Sequence, residues 1–142
     1  MDRKPILLCD DDPNDQFLIV RALEKNEIKN PILVAQNGSE ALGLLYGDDD
    51  GNAKGSAVPA FVILDIKMPK VNGLEVLREI RNHENTRRLP VVMLTSSDEE
   101  SDLIQSYDLG VNSYIRKPID YNEFRRCVAD IGAYWISLNR AP

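Results

Sequence analysis

Short apolar runs alternate along the chain with segments whose apolar residues recur every three or four positions. The runs contain almost no polar residues, as is typical of parallel strands covered on both faces, and they lie at 6–9, 31–34, 61–64, 91–94 and 114–115. Helical periodicity between and after these runs predicts five helices, which begin near positions 13, 39, 73, 97 and 120. The alternation predicts an α/β fold, a mainly parallel sheet with helices on both faces.

Capping patterns mark several of the helix starts. Asp12-Pro13 is typical of an N-cap followed by proline at the first helical position, and Asp15 adds an acid to the first turn. Ser97-x-x-Glu100 has the pattern of a capping box, and Asp120-x-x-Glu123 has related chemistry. The last helix is predicted to continue as far as Leu138.

Polar side chains follow four of the five predicted strands. Asp10-Asp11 follows the first strand, Asp65 the third, Thr95-Ser96 the fourth and Lys117-Pro118 the fifth. In open parallel sheets, ligands bind outside the carboxyl ends of the strands. We therefore expect three carboxylates, a hydroxyl and an ammonium group to converge at one edge of the sheet.

Three clustered carboxylates repel one another, so protons or a hard cation must occupy their site. Oxygen ligands favour Mg²⁺, with Mn²⁺ as the alternative, and Mg²⁺ leaves coordination positions for phosphoryl oxygens. Lys117 offers a charge and Thr95 a hydroxyl to such a group. Asp65 is the best candidate for a carboxylate nucleophile, because it ends the central strand between the acidic pair and the Thr95/Lys117 pair.

Length and charge restrict the function further. The 142 residues fit a single domain, spanning 1–142, and the net charge is −6. Residues 1–65 hold 6 basic and 12 acidic side chains, whereas 66–142 hold 11 of each, so nucleic acid and anionic membranes are poor partners.

No apolar run reaches the roughly 18 residues of a membrane span and the N-terminus does not resemble a secretion signal, so a cytoplasmic location is expected. Cys9 and Cys127 lie in apolar stretches and are expected to be reduced.

At these positions the chain resembles the response-regulator receiver domain of two-component signalling. Four segments carry the resemblance in order: LLCDDDP at 7–13, LDIKMP with NG at 64–73, PVVMLTS at 90–96 and SYIRKP at 113–118. The resemblance covers roughly residues 5–138. It implies the chemotaxis-type, flavodoxin-like doubly wound sheet with strand order 2-1-3-4-5 and five helices.

The resemblance also implies a role for each acidic residue. Asp65 would be the phosphoacceptor, which takes a phosphoryl group from the phosphohistidine of a sensor histidine kinase or a phosphotransfer protein. Asp11 and Asp65 would ligate the metal directly, Asp10 mostly through water, and the backbone carbonyl of Lys67 would complete the protein ligands. No other cofactor is implied. The protein would be a stoichiometric phosphoacceptor that assists its own phosphorylation and dephosphorylation, not an enzyme.

The remaining residues of the resemblance bind or sense the phosphoryl group. Thr95 would hydrogen-bond it and Lys117 would form its ion pair, with the Lys117–Pro118 peptide in the cis form. Tyr114 would be the aromatic switch that turns inward when Thr95 is drawn toward the phosphate. Ser96 stands where alanine is commoner, and Lys67 is a cation where many relatives are polar.

Nothing long enough for an output domain follows the last predicted helix, so we expect output through another, unknown protein. Residues 106–114, the loop before the third strand and the Ala133-Tyr134-Trp135 segment look similar to response regulators paired with bacterial and cyanobacterial phytochrome kinases. That subfamily implies a homodimer through the fourth helix, fifth strand and fifth helix. The aromatic residues available for such a face are Tyr107, Tyr114, Phe124, Tyr134 and Trp135. A general or chemotaxis-like single-domain regulator, or a phosphate sink, is the alternative pathway.

Other functions fit the residues less well. A haloacid-dehalogenase-type phosphohydrolase needs an acid two residues past its nucleophile, where this chain has Lys67. A flavin-mononucleotide protein needs a Ser/Thr/Gly-rich loop after the first strand, where this chain has three aspartates. A receiver-like domain that signals without phosphorylation is the third rival. The acidic run 48–50 lacks the glycine and acid spacing of a calcium-binding EF-hand loop.

Overall fold

The computed structural model describes residues 3–47 and 58–142, so the acidic run 48–50 lies outside the described residues. The strands of this part of the chain are β1 (Ile6–Cys9), β2 (Ile32–Ala35), β3 (Phe61–Leu64), β4 (Val91–Thr95) and β5 (Ser113–Arg116). Its α-helices are α1 (Pro13–Lys25), α2 (Gly38–Tyr46), α3 (Gly73–Asn82), α4 (Glu100–Asp108) and α5 (Tyr121–Gly132). The predicted alternation of strands and helices is confirmed.

The strands form one parallel sheet in the order β2-β1-β3-β4-β5. β1 and β3 are fully buried because a neighbour flanks them on each side and helices cover both faces. The order reverses between β1 and β3, so the crevice of a doubly wound fold is expected beside their carboxyl ends. Strand order 2-1-3-4-5 is therefore confirmed.

Alternate strand residues supply two apolar cores, one on each face of the sheet. One core contains Leu7, Val62, Leu64, Val91 and Met93 from the strands and packs against α2 and α3. The other contains Ile6, Leu8, Phe61, Ile63, Val92 and Leu94 and packs against α1 and α5. The sheet is thus held rigidly from both sides, which fixes the positions of the residues that follow each strand.

Backbone hydrogen bonds extend the sheet into the residues with candidate chemistry. The Asp10 N–H donates to the Ala35 carbonyl at 3.0 Å and the Asp65 N–H to the Cys9 carbonyl at 2.9 Å. The Lys117 N–H donates to the Thr95 carbonyl at 2.7 Å. These residues are therefore anchored by the same ladders as the strands that precede them.

Two helix boundaries differ from the sequence prediction. Ser97 does not cap α4: its hydroxyl donates to the Asp102 carboxylate at 2.6 Å, and Glu99 precedes the helix without a side-chain capping bond to any described residue. The last helix also changes form, because α5 ends at Gly132 and a π-helical turn, Ala133–Leu138, follows it. A Cβ at Gly132 would lie 2.7 Å from a methyl carbon of Leu23, so this glycine permits α1 and α5 to approach closely.

Burial also corrects the set of aromatic residues offered to a dimer face. Phe124 is only 4% exposed and belongs to the core, because it lies on the face of α5 that packs on the sheet. Tyr107 and Tyr134 are about half exposed, at 53% and 48%. Cys9 is buried, as expected, and Cys127 is partly buried; both are free thiols. Across the described ranges, the helices are too short or too polar to cross a bilayer.

Candidate functional site

A cavity of about 350 Å³ opens at the carboxyl edge of the sheet. It is lined by the residues that follow β1, β3, β4 and β5, together with the first turn of α1: Asp11, Asp12, Asp15, Asp65, Lys67, Thr95, Ser96, Ser97, Asp98 and Lys117. The convergence predicted from the strand ends is therefore present in three dimensions.

Three carboxylates in this region have the arrangement of a cation site. One oxygen from each of Asp10, Asp11 and Asp65 lies within 4.8 Å of the other two. Asp10 and Asp65 are 1% and 7% exposed, whereas Asp11 faces solvent, which leaves a path for an ion. An all-oxygen donor set with one exposed member suits a hard divalent cation that keeps part of its water shell.

The Lys117 ammonium lies among carboxylates. Its nitrogen is 2.9 Å from Asp10 Oδ2, 3.1 Å from Asp65 Oδ2 and 2.8 Å from Asp15 Oδ2. The Lys117 side chain is only 7% exposed, so these contacts replace most of its hydration. A buried charge is tolerated only when it is paired in this way.

Asp15 was not among the site residues that the strand ends identified. It belongs to α1, and the sequence analysis interpreted it only as a first-turn acid. Its place in the first turn of α1, directly after the acidic residues that follow β1, is the sequence signal that could have indicated the shared location. The position of Asp15 is fixed locally, because the Asp12 cap accepts hydrogen bonds from the N–H groups of Asn14 and Asp15.

The candidate nucleophile Asp65 is oriented by its neighbours. Its Oδ1 accepts a hydrogen bond of 2.7 Å from the Ile66 N–H, while Oδ2 faces Lys117. The loop after β3 returns to the sheet at Gly73, whose N–H donates to the Ile66 carbonyl at 2.7 Å. A Cβ at Gly73 would overlap the Asp65 carbonyl oxygen, so glycine is required for this close approach.

Thr95 lines the cavity, and Tyr114 lies beside the loop that follows β4. Thr95 is fully buried, and its hydroxyl oxygen accepts a hydrogen bond of 3.2 Å from the Ser97 N–H. Tyr114 does not line the cavity; its hydroxyl donates to the Ser97 carbonyl at 3.4 Å, a long and weak contact. Both residues therefore hydrogen-bond Ser97, in the loop after β4.

Lys67 and Lys117 both line the cavity. The side chain of Lys67 points to Glu99, with its nitrogen 3.4 Å from Glu99 Oε1, in a pair that is more than half exposed. The expected cis form of Lys117–Pro118 is wrong, since the peptide bonds of the described residues are all trans. The trans chain still brings the Lys117 ammonium to the carboxylates, because the Lys117 N–H remains bound to β4.

Burial and charge shift the pKa values of the site in opposite ways. Burial raises the pKa of Asp10 to about 6, although hydrogen bonds from Lys117 and the Asp12 N–H oppose the shift. Burial alone would lower the pKa of Lys117, but its hydrogen bonds to Asp10 and Asp15 outweigh burial and raise it. Lys117 therefore keeps its positive charge at neutral pH.

Comparison with known proteins gives consistent relatives. The probable methanogenesis regulatory protein FilR2 of Methanothrix harundinacea is 39% identical over 137 residues, which cover 96% of this chain and 86% of the relative. The response regulator Rcp1 of Synechocystis is 33% identical over 139 residues, covering 98% and 93%. The crystal structure of Mn²⁺-bound Rcp1 superposes with a TM-score of 0.90 at 32% identity and covers 99% of both chains.

A phosphorylated relative matches equally well. The crystal structure of the phosphorylated cyanobacterial phytochrome response regulator RcpA has a TM-score of 0.91 and 34% identity, and 99% of each chain is covered. Residues 6–129 match the response regulator receiver domain family. This chain therefore belongs to the response regulator receiver domains, the phosphoacceptor modules of two-component signalling.

Proposed function

We propose that Asp65 is the phosphoacceptor of this response regulator and that a phosphohistidine of a sensor histidine kinase is its donor. The observation that carries the proposal is the position of Asp65 Oδ2, which lies 3.1 Å from the Lys117 ammonium beside two further carboxylates. The family supports phosphorylation on an aspartate, and Asp65 is the acidic residue that ends the central strand β3.

The transfer exchanges one bond to phosphorus for another. An Asp65 carboxylate oxygen forms the new P–O bond while the P–N bond of the phosphohistidine breaks. The electron pair of the broken P–N bond stays on the imidazole nitrogen, which takes up a proton. Lys117 donates hydrogen bonds to the phosphoryl oxygens and balances their charge. Thr95 contributes its hydroxyl from the end of β4, and Tyr114 senses the movement of the loop after β4.

A divalent cation completes the site. We propose Mg²⁺, held by Asp10, Asp11, Asp65 and the backbone carbonyl of Lys67. When bound, the ion neutralises the clustered carboxylates and the charge on the phosphoryl group. The oxygen-only donor set supports this choice, and Mn²⁺, which Rcp1 binds, has similar ligand preferences. The protein then acts once per phosphoryl group and is not a turnover enzyme, although it assists its own phosphorylation and dephosphorylation.

Mass measurement tests the acceptor. Wild type, Asp65→Asn and Asp12→Asn are incubated with Mg²⁺ and acetyl phosphate or phosphoramidate, and the intact masses are recorded. Wild type and Asp12→Asn should each gain one phosphate, whereas Asp65→Asn should gain none. Asp12→Asn is the matched control, because Asp12 lines the same cavity and asparagine is an equally good N-cap. Equal labelling of Asp65→Asn would refute the assignment.

The kinase partner is proposed from the relatives. RcpA is a phytochrome response regulator, and its structure superposes on nearly the whole of this chain. We therefore expect a bacteriophytochrome kinase to phosphorylate this protein faster than histidine kinases of other classes do. Phosphotransfer rates from purified phosphorylated kinases of both classes would test this. Equal rates would instead favour a general or chemotaxis-like regulator, or a phosphate sink.

We also propose a homodimer through α4, β5 and α5. Exposed apolar side chains lie on α4, on α5 and on the π-helical turn that follows α5: Leu103, Ile104, Tyr107, Tyr121, Tyr134 and Leu138. Sedimentation at micromolar concentration, with and without a phosphoryl mimic, tests the proposal. A monomer under both conditions would contradict it.

A further inference from the structure

Asp15 occupies a position that the phosphoacceptor chemistry does not explain. It lies outside the three-carboxylate cation cluster, yet its contact with Lys117 is the shortest of the three carboxylate contacts in the described chain, at 2.8 Å. Its side chain is 21% exposed, compared with 2% for Asp10 and 9% for Asp65. The Asp15 carboxylate, at the edge of the cavity, therefore binds the Lys117 ammonium as closely as the two buried carboxylates do.

The hydrogen-bonding capacity of Lys117 makes this share important. An ammonium group has three donors, and here three carboxylate oxygens lie within 3.1 Å of the nitrogen. A phosphoryl group on Asp65 can take over the donor that faces Asp65 Oδ2. The donors facing Asp10 and Asp15 remain engaged, so the phosphoryl group receives only part of the positive charge of Lys117.

The local structure holds Asp15 in this position. Asp12 caps α1 and accepts a hydrogen bond from the Asp15 N–H, while the Gln16 amide donates to the Asp10 carbonyl at 2.6 Å. These bonds tie the first turn of α1 to the end of β1. The backbone of Asp15 is consequently placed by the helix, and its carboxylate accepts a hydrogen bond from the Lys117 ammonium.

The contact between Asp15 and Lys117 weakens the attraction of Lys117 for a phosphoryl group, but it favours the binding of a divalent cation. The Lys117 ammonium lies against Asp10 and Asp65, two members of the cation cluster, and its charge opposes the binding of a second cation there. Asp15 compensates that charge. The site charge of Asp10, Asp11, Asp65 and Lys117 is −2, and Asp15 makes it −3.

We propose that Asp15 is a positioning residue that holds the Lys117 ammonium and shares its charge, so that it strengthens divalent-cation binding and slows phosphorylation of Asp65. The second half rests on the proposed function. The first half concerns only cation binding. Loss of the Asp15 charge should therefore weaken cation binding but speed phosphorylation. A general distortion of the site would impair both.

Asp15→Asn tests the proposal, because it removes the charge and keeps the shape of the side chain. Mn²⁺ binding is measured from the electron paramagnetic resonance signal of the free ion, and phosphorylation at saturating Mg²⁺ from intact mass. The Mn²⁺ dissociation constant should rise about three- to tenfold and the phosphorylation rate should increase by a similar factor. The rate of phosphorylation by acetyl phosphate, which carries the larger negative charge, should increase more than the rate with phosphoramidate.

Glu24→Gln is the matched control, since Glu24 is an exposed carboxylate of the same helix α1 and does not line the cavity. It should change both quantities by less than about twofold, because an exposed charge without a contact to Lys117 or to the cation cluster is screened by salt. Asp15→Glu keeps the charge and should retain Mn²⁺ affinity within about twofold. Weaker Mn²⁺ binding together with slower phosphorylation in Asp15→Asn would overturn the proposal, as would values equal to those of Glu24→Gln.

The failure of this proposal and of the proposed function can be distinguished. If Asp65→Asn were labelled like wild type, the acceptor assignment would fail. The Mn²⁺ measurement would still decide whether Asp15 compensates Lys117, because it does not involve phosphorylation.

Discussion

Replacing Lys117 by methionine should destabilise the protein and make its stability depend on divalent cations. Methionine has a similar length and can occupy the space of the lysine stem, so the substitution removes mainly the charge. Asp10, Asp15 and Asp65 would then face one another without their shared cation. Asp10 is 1% exposed and cannot gain full hydration in exchange.

The distances between Lys117 and its carboxylate partners determine how much unfolding free energy Lys117→Met should lose. The ammonium nitrogen lies 2.8–3.1 Å from three carboxylate oxygens. Each such contact contributes about 5 kcal/mol at an effective dielectric constant of about 20, before the desolvation of both groups is subtracted. Removal of one partner from a buried ion pair costs about 3–5 kcal/mol in measured cases, and we expect Lys117→Met to fall in that range. The unfolding free energy of a domain is typically about 5–15 kcal/mol, so the variant should keep enough stability for its unfolding to be measured.

Urea unfolding in EDTA and in Mg²⁺ measures the effect. The variant should lose about 3–5 kcal/mol in EDTA, and Mg²⁺ should restore more stability to the variant than to wild type, because the ion replaces the missing positive charge. Lys67→Met is the matched control: its pair with Glu99 is exposed, so the change should stay below about 1 kcal/mol. A loss below about 1 kcal/mol for Lys117→Met in EDTA, or equal Mg²⁺ effects on both proteins, would refute the reasoning.

Three further predictions use other parts of the site and fold. Because burial raises the pKa of Asp10 to about 6, protons compete with the cation below that pH, so the Mg²⁺ affinity measured by calorimetry should fall as the pH is lowered through about 6; a constant affinity would contradict this. Gly73→Ala should destabilise by about 1–3 kcal/mol in denaturant unfolding, since the new Cβ overlaps a backbone carbonyl oxygen, whereas Gly43→Ala meets no described atom within 4 Å and should stabilise α2 by about 0.5–1 kcal/mol. Ser97→Ala should cost about 1–3 kcal/mol in the same assay, because it removes the hydrogen-bond donor to the buried Asp102 carboxylate; no change would show that water replaces the hydroxyl.

The parts of the fold that follow from local pattern were predictable. Continuous apolar runs located the strands, and Asp10, Asp65, Thr95 and Lys117 lie within two residues of the carboxyl ends of these runs. The carboxyl ends of parallel strands share one edge of the sheet, so residues separated by more than a hundred positions could be placed together.

Residues whose role depends on packing were not predictable in this way. Asp15 lies on a helix, and its 2.8 Å contact with Lys117 requires the actual docking angle of α1 on the sheet. Ser97 has the sequence pattern of a cap, but α4 begins only at Glu100; the Ser97 hydroxyl donates to the buried Asp102 carboxylate and accepts a bond of 3.3 Å from the Glu99 N–H, which precedes the helix. Phe124 has the helical spacing of either a core or a surface residue, and only the orientation of α5 decides between them.

The position of Lys117 at the end of β5, the last strand of the sheet, has a consequence for synthesis on the ribosome. The carboxylates after β1 and β3 emerge long before this lysine does, and β5 joins the sheet through β4 alone. A nascent chain that ends before β5 thus carries these carboxylates without the Lys117 ammonium, so protons and dissolved divalent ions are the positive charges expected to reduce their repulsion. Assembly of the acidic edge is completed only when the final strand docks.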